Sequence, residues 1–196
     1  MAIPAFNSNL TLPPHLGSPT RPQDISPFQC TSKELCERFA TSPERIRILQ
    51  GLLRLRSELR KHGVFNAFQW LDGSFLEDIE HSEKRAPRDI DVVTWYWDTD
   101  PNFSVRLASA FPDICNNKKI KTDFFVDHYP VDIGFRPDII VSFASYWCGL
   151  FSHTRSQIWK GMLRVDLNTP IDDNEAGAVL ASKVSSIPAI PITVKP

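Results

Sequence analysis

The chain has no excess of either charge: 22 Lys and Arg stand against 23 Asp and Glu, a net charge of −1. No global field therefore draws it to nucleic acid, although a local basic patch could still do so. None of its four cysteines (Cys30, Cys36, Cys115 and Cys148) forms a C-x-x-C pair. Their spacing suits neither a zinc site nor a dense disulfide framework, and predicts reduced, partly buried thiols in a cytoplasmic protein. No apolar run approaches the ~18 residues of a spanning helix. Met1 to Asn7 lack the charged leader and apolar core of a signal peptide. Internal repeats are absent as well. These absences predict a soluble, cytoplasmic protein with no membrane partner. What is present is enough for one ordinary core: 196 residues, 42% of them apolar.

Punctuation divides the chain into three parts. Residues 1–28 contain Pro4, Pro13, Pro14, Pro19, Pro22 and Pro27. Such a segment cannot be helical and reads as an extended arm, with Phe6, Leu10, Leu12 and Leu16 available to lie against a domain. Residues 29–167 read as that domain. Residues 168–196 turn small, polar and Pro-punctuated, and are expected to be weakly ordered. Within the domain, Thr31-Ser32-Lys33-Glu34 is a capping box opening a short helix through Phe39. Ser42-Pro43 opens a longer helix to about Lys61, closed by Gly63. Its Ile46, Leu49, Leu52, Leu55 and Leu59 lie roughly on one side, leaving Arg45, Arg47, Arg54, Arg56, Arg60 and Lys61 as a solvated face. Strands are predicted over 64–71, 90–97, 120–133 and 162–167, and helices over 101–116 and 139–151. The fold class is α+β, with a small mixed or antiparallel sheet flanked by helices.

The chemistry concentrates at two places. Trp70-Leu71-Asp72-Gly73-Ser74-Phe75 is a strand leaving through a Gly-Ser turn. Asp89-Ile90-Asp91 then opens the next strand, where residues i and i+2 share a face. Two adjacent carboxylates repel unless a proton or a cation lies between them. A hard divalent cation is the natural partner, and Mg²⁺ (or Mn²⁺) commonly shares carboxylates with substrate phosphates. Glycine admits a phosphate close to backbone N–H groups, and serine adds a hydroxyl. A third carboxylate is sought on a neighbouring strand among Asp123, Asp127 and Asp132. Asp127 is preferred because it follows a firm apolar run and precedes Pro130; Asp132 is the runner-up. Further on, Trp147, Phe151, His153, Arg155, Lys160 and Gly161 cluster. Lys160 and Arg155 are candidate triphosphate contacts, His153 reads as structural and Trp147 as core.

Strand, Gly-Ser turn and Asp-x-Asp strand, in that order, resemble the polymerase-β-like nucleotidyltransferases. Over roughly residues 3–167 the chain also looks like a family of bacterial and phage-borne proteins of unknown function with a nucleotidyltransferase-like core. That likeness rests on Ile3-Pro4-Ala5-Phe6-Asn7, Leu12-Pro13-Pro14-His15, Leu71-Asp72-Gly73-Ser74-Phe75, Pro87-Arg88-Asp89-Ile90-Asp91, Asp127-His128-Tyr129-Pro130-Val131-Asp132 and Lys160-Gly161-Met162-Leu163. The insert Glu77–Lys84 and the tail after Asn168 depart from it. The resemblance implies transfer of an NMP from a nucleoside triphosphate to a hydroxyl, using Mg²⁺ or Mn²⁺. Gly73, Ser74, Lys160 and Arg155 would bind nucleotide, and Asp89, Asp91 and Asp127 would bind metal and act in catalysis. The acceptor is left open among RNA, a protein, a small molecule and a second nucleotide, as is assembly into a homo-oligomer. A catalytically silent nucleotide sensor or antitoxin-like interaction module on the same fold is the alternative.

Overall fold

The computed structural model describes residues 3–134 and 136–186. Seven helices and a five-stranded mixed sheet are found among them. The strands are β1 (Phe28–Gln29), β2 (Ala67–Asp72), β3 (Ile90–Tyr96), β4 (Val126–Asp132) and β5 (Leu163–Asp166), in the order β1-β5-β2-β3-β4. β2 runs antiparallel to both neighbours; β1 pairs with β5, and β3 with β4, in parallel. The expected α+β class is correct.

Local chemistry explains the first helices. Thr31 accepts from the Glu34 N–H while Glu34 accepts from the Thr31 N–H, which starts α1 (Ser32–Phe39). Ser42 caps α2 (Pro43–Lys61) by accepting from the Arg45 N–H, with Pro43 at the first position. Ile46, Ile48, Leu49, Leu52, Leu55 and Leu59 of α2 are buried against one face of the sheet. Burying each such side chain contributes about 1.5–3 kcal/mol. Gly51 lies so close to the Phe124 carbonyl that a Cβ would overlap it, which sets how near α2 comes to α5 (Asn117–Phe124).

The sheet has two unlike faces. Alternate residues Ala67, Leu71, Ile90, Val92, Val126, Leu163 and Val165 join the larger core under α1, α2, α5 and α7 (Pro170–Ser186). Val93, Trp95 and Val131 join a smaller cluster with Trp147 and Phe151 of α6 (Pro137–Phe151). Trp147 is indeed core: it is 7% exposed and its ring lies 4.6 Å from that of Tyr129. Two shorter helices, α3 (Ile79–Ser82) and α4 (Phe103–Ala110), complete the set. The proline-rich arm is ordered where it meets the domain. Leu12 is fully buried, Phe6 packs on Phe39, and Thr11 pairs with Glu77 as an antiparallel bridge. Among the described residues no helix is long and apolar enough to cross a membrane.

Three expectations need correction. The stretch 120–133, expected as one long strand or a strand pair, is neither: it is the end of α5 followed by β4. Asn116 caps α5 by accepting from the Lys119 N–H, and Ile120 alone of that helix is buried. Phe125 then takes a left-handed conformation (φ 58°) and turns the chain into β4. The tail is not weakly ordered over 170–186, since α7 packs on α1 and α2 with Asp173, Ala176 and Leu180 buried. Residues 187–196 lie outside the described residues. Nor are the arginines of α2 all solvated. Arg45 is 3% and Arg56 1% exposed. Arg45 pairs with Glu80 and donates to the carbonyls of Phe75 and Glu77, so it anchors the segment after the Gly-Ser turn.

Candidate active site

The register of three strands assembles the site. Asp72 at the end of β2 is opposite Asp91 on β3, and Asp91 is level with Asp127 on β4. By alternation these side chains point to the α6 side of the sheet, away from the larger core. Asp89 immediately precedes β3 and shares that side with Asp91. The register separates Asp127 from Asp132. Asp132 lies at the far end of β4, level with Tyr96, where it accepts from the Ser104 hydroxyl. Asp127 lies beside Asp91.

Gly73 adopts φ 86°, ψ −176°, a conformation that L residues avoid. A Cβ there would also clash with Asp91 Oδ2. The turn is therefore packed against a carboxylate and tolerates no side chain. Ser74 starts a 3-10 turn, Ser74–Leu76, that places Phe75 and Leu76 in the core. The Ser74 hydroxyl forms no hydrogen bond among the described residues and is partly exposed.

Two lysines meet these acids in different ways. Lys160 is 2% exposed. Its Nζ lies 3.1 Å from Asp72 Oδ1 and 2.6 Å from Glu77 Oε1, and donates to the Gly73 carbonyl at 3.3 Å. Burial lowers its pKa, but Asp72 and Glu77 outweigh that and hold it above the usual lysine value. Lys160 thus braces the turn from beneath, with its ammonium engaged by Asp72, Glu77 and the Gly73 carbonyl. Lys121, on α5, bridges Asp89 Oδ2 at 2.7 Å and Asp127 Oδ2 at 2.9 Å, with its side chain 45% exposed. Burial again opposes the charge, and hydrogen bonds to the two aspartates raise the pKa above that of an ordinary lysine. Arg155 is exposed, and no contact joins it to Gly73, Ser74 or the aspartates among the described residues. His153 is exposed, with Nδ1 near the Gly149 carbonyl and the Ser152 hydroxyl.

Charge balance here is poor. Burial raises the Asp91 carboxyl to about 6, with Asp89 and Asp127 pushing the same way. Burial also lifts Asp72 to about 7, against the opposing pull of Lys160. Asp91 makes no ion pair among the described residues. Hard carboxylate oxygens of this kind suit a divalent ion such as Mg²⁺ or Mn²⁺. As they stand, however, no three acidic, His or Cys side chains among the described residues converge closely enough to hold one. The Lys121 ammonium lies between Asp89 and Asp127, where such an ion would have to enter. The donor chemistry is that of a divalent-ion site, which Asp89, Asp91 and Asp127 would form only if Lys121 yielded.

Sequence reasoning missed Lys121, Glu77 and the role of Asp72. Lys121 fell in a stretch read as strand, where its reach back to Asp89 is invisible. The signal available was the Asn116 cap and the run Asn117-Lys118-Lys119, which favour a helix over a strand. On the opposite side of the same strands lies a second polar group. Arg56 donates to Gln69 Oε1, the Gln69 amide donates to Thr94 Oγ1, and Thr94 Oγ1 lies 2.8 Å from His128 Nε2. Arg56 and Arg60 both pair with Asp173 of α7. His128 is fully buried, and burial lowers its pKa to about 4. It is therefore neutral, and its Nε2 shares a hydrogen bond with the Thr94 hydroxyl.

No curated protein matches the chain, and no solved structure does. A family profile spans residues 4–166, from the arm through β5 and including the turn, every acidic residue of the site and both of its lysines. The chain belongs to that family, a family of unknown function designated DUF6932.

Proposed function

We propose that the protein is a metal-dependent nucleotidyltransferase of the polymerase-β-like kind, moving an NMP from a nucleoside triphosphate to a hydroxyl acceptor. One observation carries the reading: the β2-β3-β4 register puts Asp91 level with Asp127, one strand away from a positive-φ Gly-Ser turn. The turn offers backbone N–H groups and the Ser74 hydroxyl to the triphosphate. Asp89, Asp91 and Asp127 would hold Mg²⁺ or Mn²⁺, and the chemistry that ion would supply is to offset the charge of the leaving pyrophosphate. Asp127 accepts the proton of the attacking hydroxyl. The new bond joins acceptor oxygen to the α-phosphorus, the bond from the α-phosphorus to the bridging oxygen breaks, and pyrophosphate leaves. Lys160 and Arg45 support the turn from below, through the Gly73 and Phe75 carbonyls. The acceptor is a nucleic acid, a protein, a small molecule or a second nucleotide.

The splayed carboxylates and the Lys121 bridge favour a second reading, a nucleotide sensor or interaction module without turnover. Incubation with each labelled triphosphate and Mn²⁺ separates the two. Label transfer or pyrophosphate release, lost in Asp89→Ala with the circular dichroism spectrum unchanged, is the expected result. Nucleotide binding that ignores metal and gives no turnover selects the sensor.

A further inference from the structure

The acids of the open face already share a cation. Lys121 Nζ lies within 3 Å of one oxygen from each of Asp89 and Asp127 (2.7 and 2.9 Å). One ammonium bridging two carboxylates stands where a divalent ion would bridge them. The two lysines of the site differ in their freedom to leave it. Lys160 has three acceptors around it and is 2% exposed. The Lys121 side chain is 45% exposed, and those two carboxylates are the only partners of its ammonium among the described residues. A flexible four-carbon stem lets such a group move without disturbing the backbone. With it in place, no three acidic, His or Cys side chains among the described residues are gathered closely enough to hold an ion.

We propose that Lys121 is a removable counter-cation: a divalent ion enters the Asp89–Asp127 gap only by displacing it, and the freed ammonium then pairs with the phosphates that accompany the metal. This rests on the nucleotidyltransferase reading of the same carboxylates and adds how the site is gated. A lone ion must break two charge-assisted contacts and gives the ammonium nothing in return. A metal–nucleoside triphosphate complex supplies the new partner itself. The site therefore discriminates against free metal and favours the metal–triphosphate complex, a coupling that is reciprocal between the two ligands.

The test is Mn²⁺ binding to the full chain, read by electron paramagnetic resonance of the free ion, with and without a non-hydrolysable ATP analogue. Lys121→Met is expected to bind Mn²⁺ alone roughly tenfold tighter than the unaltered chain, because the competing charge is gone. The analogue should tighten Mn²⁺ binding more in the unaltered chain than in Lys121→Met. Adding Asp89→Asn to Lys121→Met should cancel the gain. In the unaltered chain, acylation of the Lys121 amine, followed by peptide mass spectrometry, should speed up several-fold when Mn²⁺ is added. Equal Mn²⁺ affinity in both chains and an unchanged acylation rate, with binding still abolished by Asp127→Asn, overturns the exchange and leaves the metal site standing. Absence of Mn²⁺ binding in every variant, with or without the analogue, removes the metal site and the exchange together.

Discussion

The same three strands carry polar residues on both faces, and the two sets are built on opposite principles. Toward the helices, Gln69, Thr94 and His128 form a hydrogen-bonded chain that ends on Arg56, Arg60 and Asp173, where the two arginines and the aspartate pair with one another. Toward α6, Asp72, Glu77, Asp89, Asp91 and Asp127 have only Lys121 and Lys160 as ion-pair partners among the described residues. A buried polar network whose charges are matched by its own partners specifies a structure. A cluster with surplus like charge is a candidate site for a ligand. The difference sets a self-matched network apart from a candidate site within a single sheet.

The sharpest way to break this contrast is at Arg56. Arg56→Met leaves Asp173 buried without its main partner and should cost about 3–5 kcal/mol in urea unfolding. A loss below about 1 kcal/mol would show that the chain across the helical face is not what ties α7 and α2 to the sheet.

Acid should then pull the two faces apart. His128 has a folded pKa near 4 against an ordinary 6.5. Below pH 6.5 the unfolded chain binds a proton that the folded chain refuses. Stability contributed by neutral His128 is therefore present above 6.5 and lost as pH falls to 4, by roughly 3 kcal/mol. Asp91 runs the other way, with a folded pKa of about 6 against 3.8. The folded chain keeps a proton that the unfolded one releases, so this contribution is full below 3.8 and disappears as pH rises through 6. Asp91→Asn should accordingly stabilise the metal-free chain at pH 8 by roughly 1–3 kcal/mol and make no difference at pH 4. Urea midpoints at pH 4, 6 and 8 for the unaltered chain, His128→Gln and Asp91→Asn check both signs. A stabilisation by Asp91→Asn that is equal at all three would mean that charge crowding is not its cause.

The smallest effect on stability falls on the turn. Gly73→Ala forces a Cβ into a positive-φ position and against Asp91. It should cost about 1–2 kcal/mol yet remove nucleotide binding measured by calorimetry. Retained binding would show that the turn does not contact the phosphates.

What the sequence revealed followed from local chemistry. Thr31 with Glu34, and Ser42 with Pro43, announce their helices because a cap is satisfied within four residues. Asp89 and Asp91 announce a shared face because strand alternation is fixed. What stayed hidden depended on distant partners. Arg56 looks like any surface arginine until Asp173 arrives 117 residues later. Phe125 in a left-handed conformation carries no compositional mark, so the break between α5 and β4 was unreadable, and Lys121 was lost with it. The helix α7 was disguised by its small residues, although Pro170 followed by Asp172 and Asp173 is a recognisable start.

The sheet order also has a consequence for how the protein is made. β5 lies between β1 and β2, so the last strand to be synthesised occupies an interior position. The lysine that supports the Gly73 carbonyl is 87 residues downstream and enters with that strand. A nascent chain that has reached the end of α6 already owns β2, β3, β4 and every carboxylate of the site. Its β1 still lacks a neighbour, and its Gly-Ser turn lacks a brace. The acidic face is thus laid down before its turn is secured, and the turn gains its brace only once the segment leading into β5 has been synthesised.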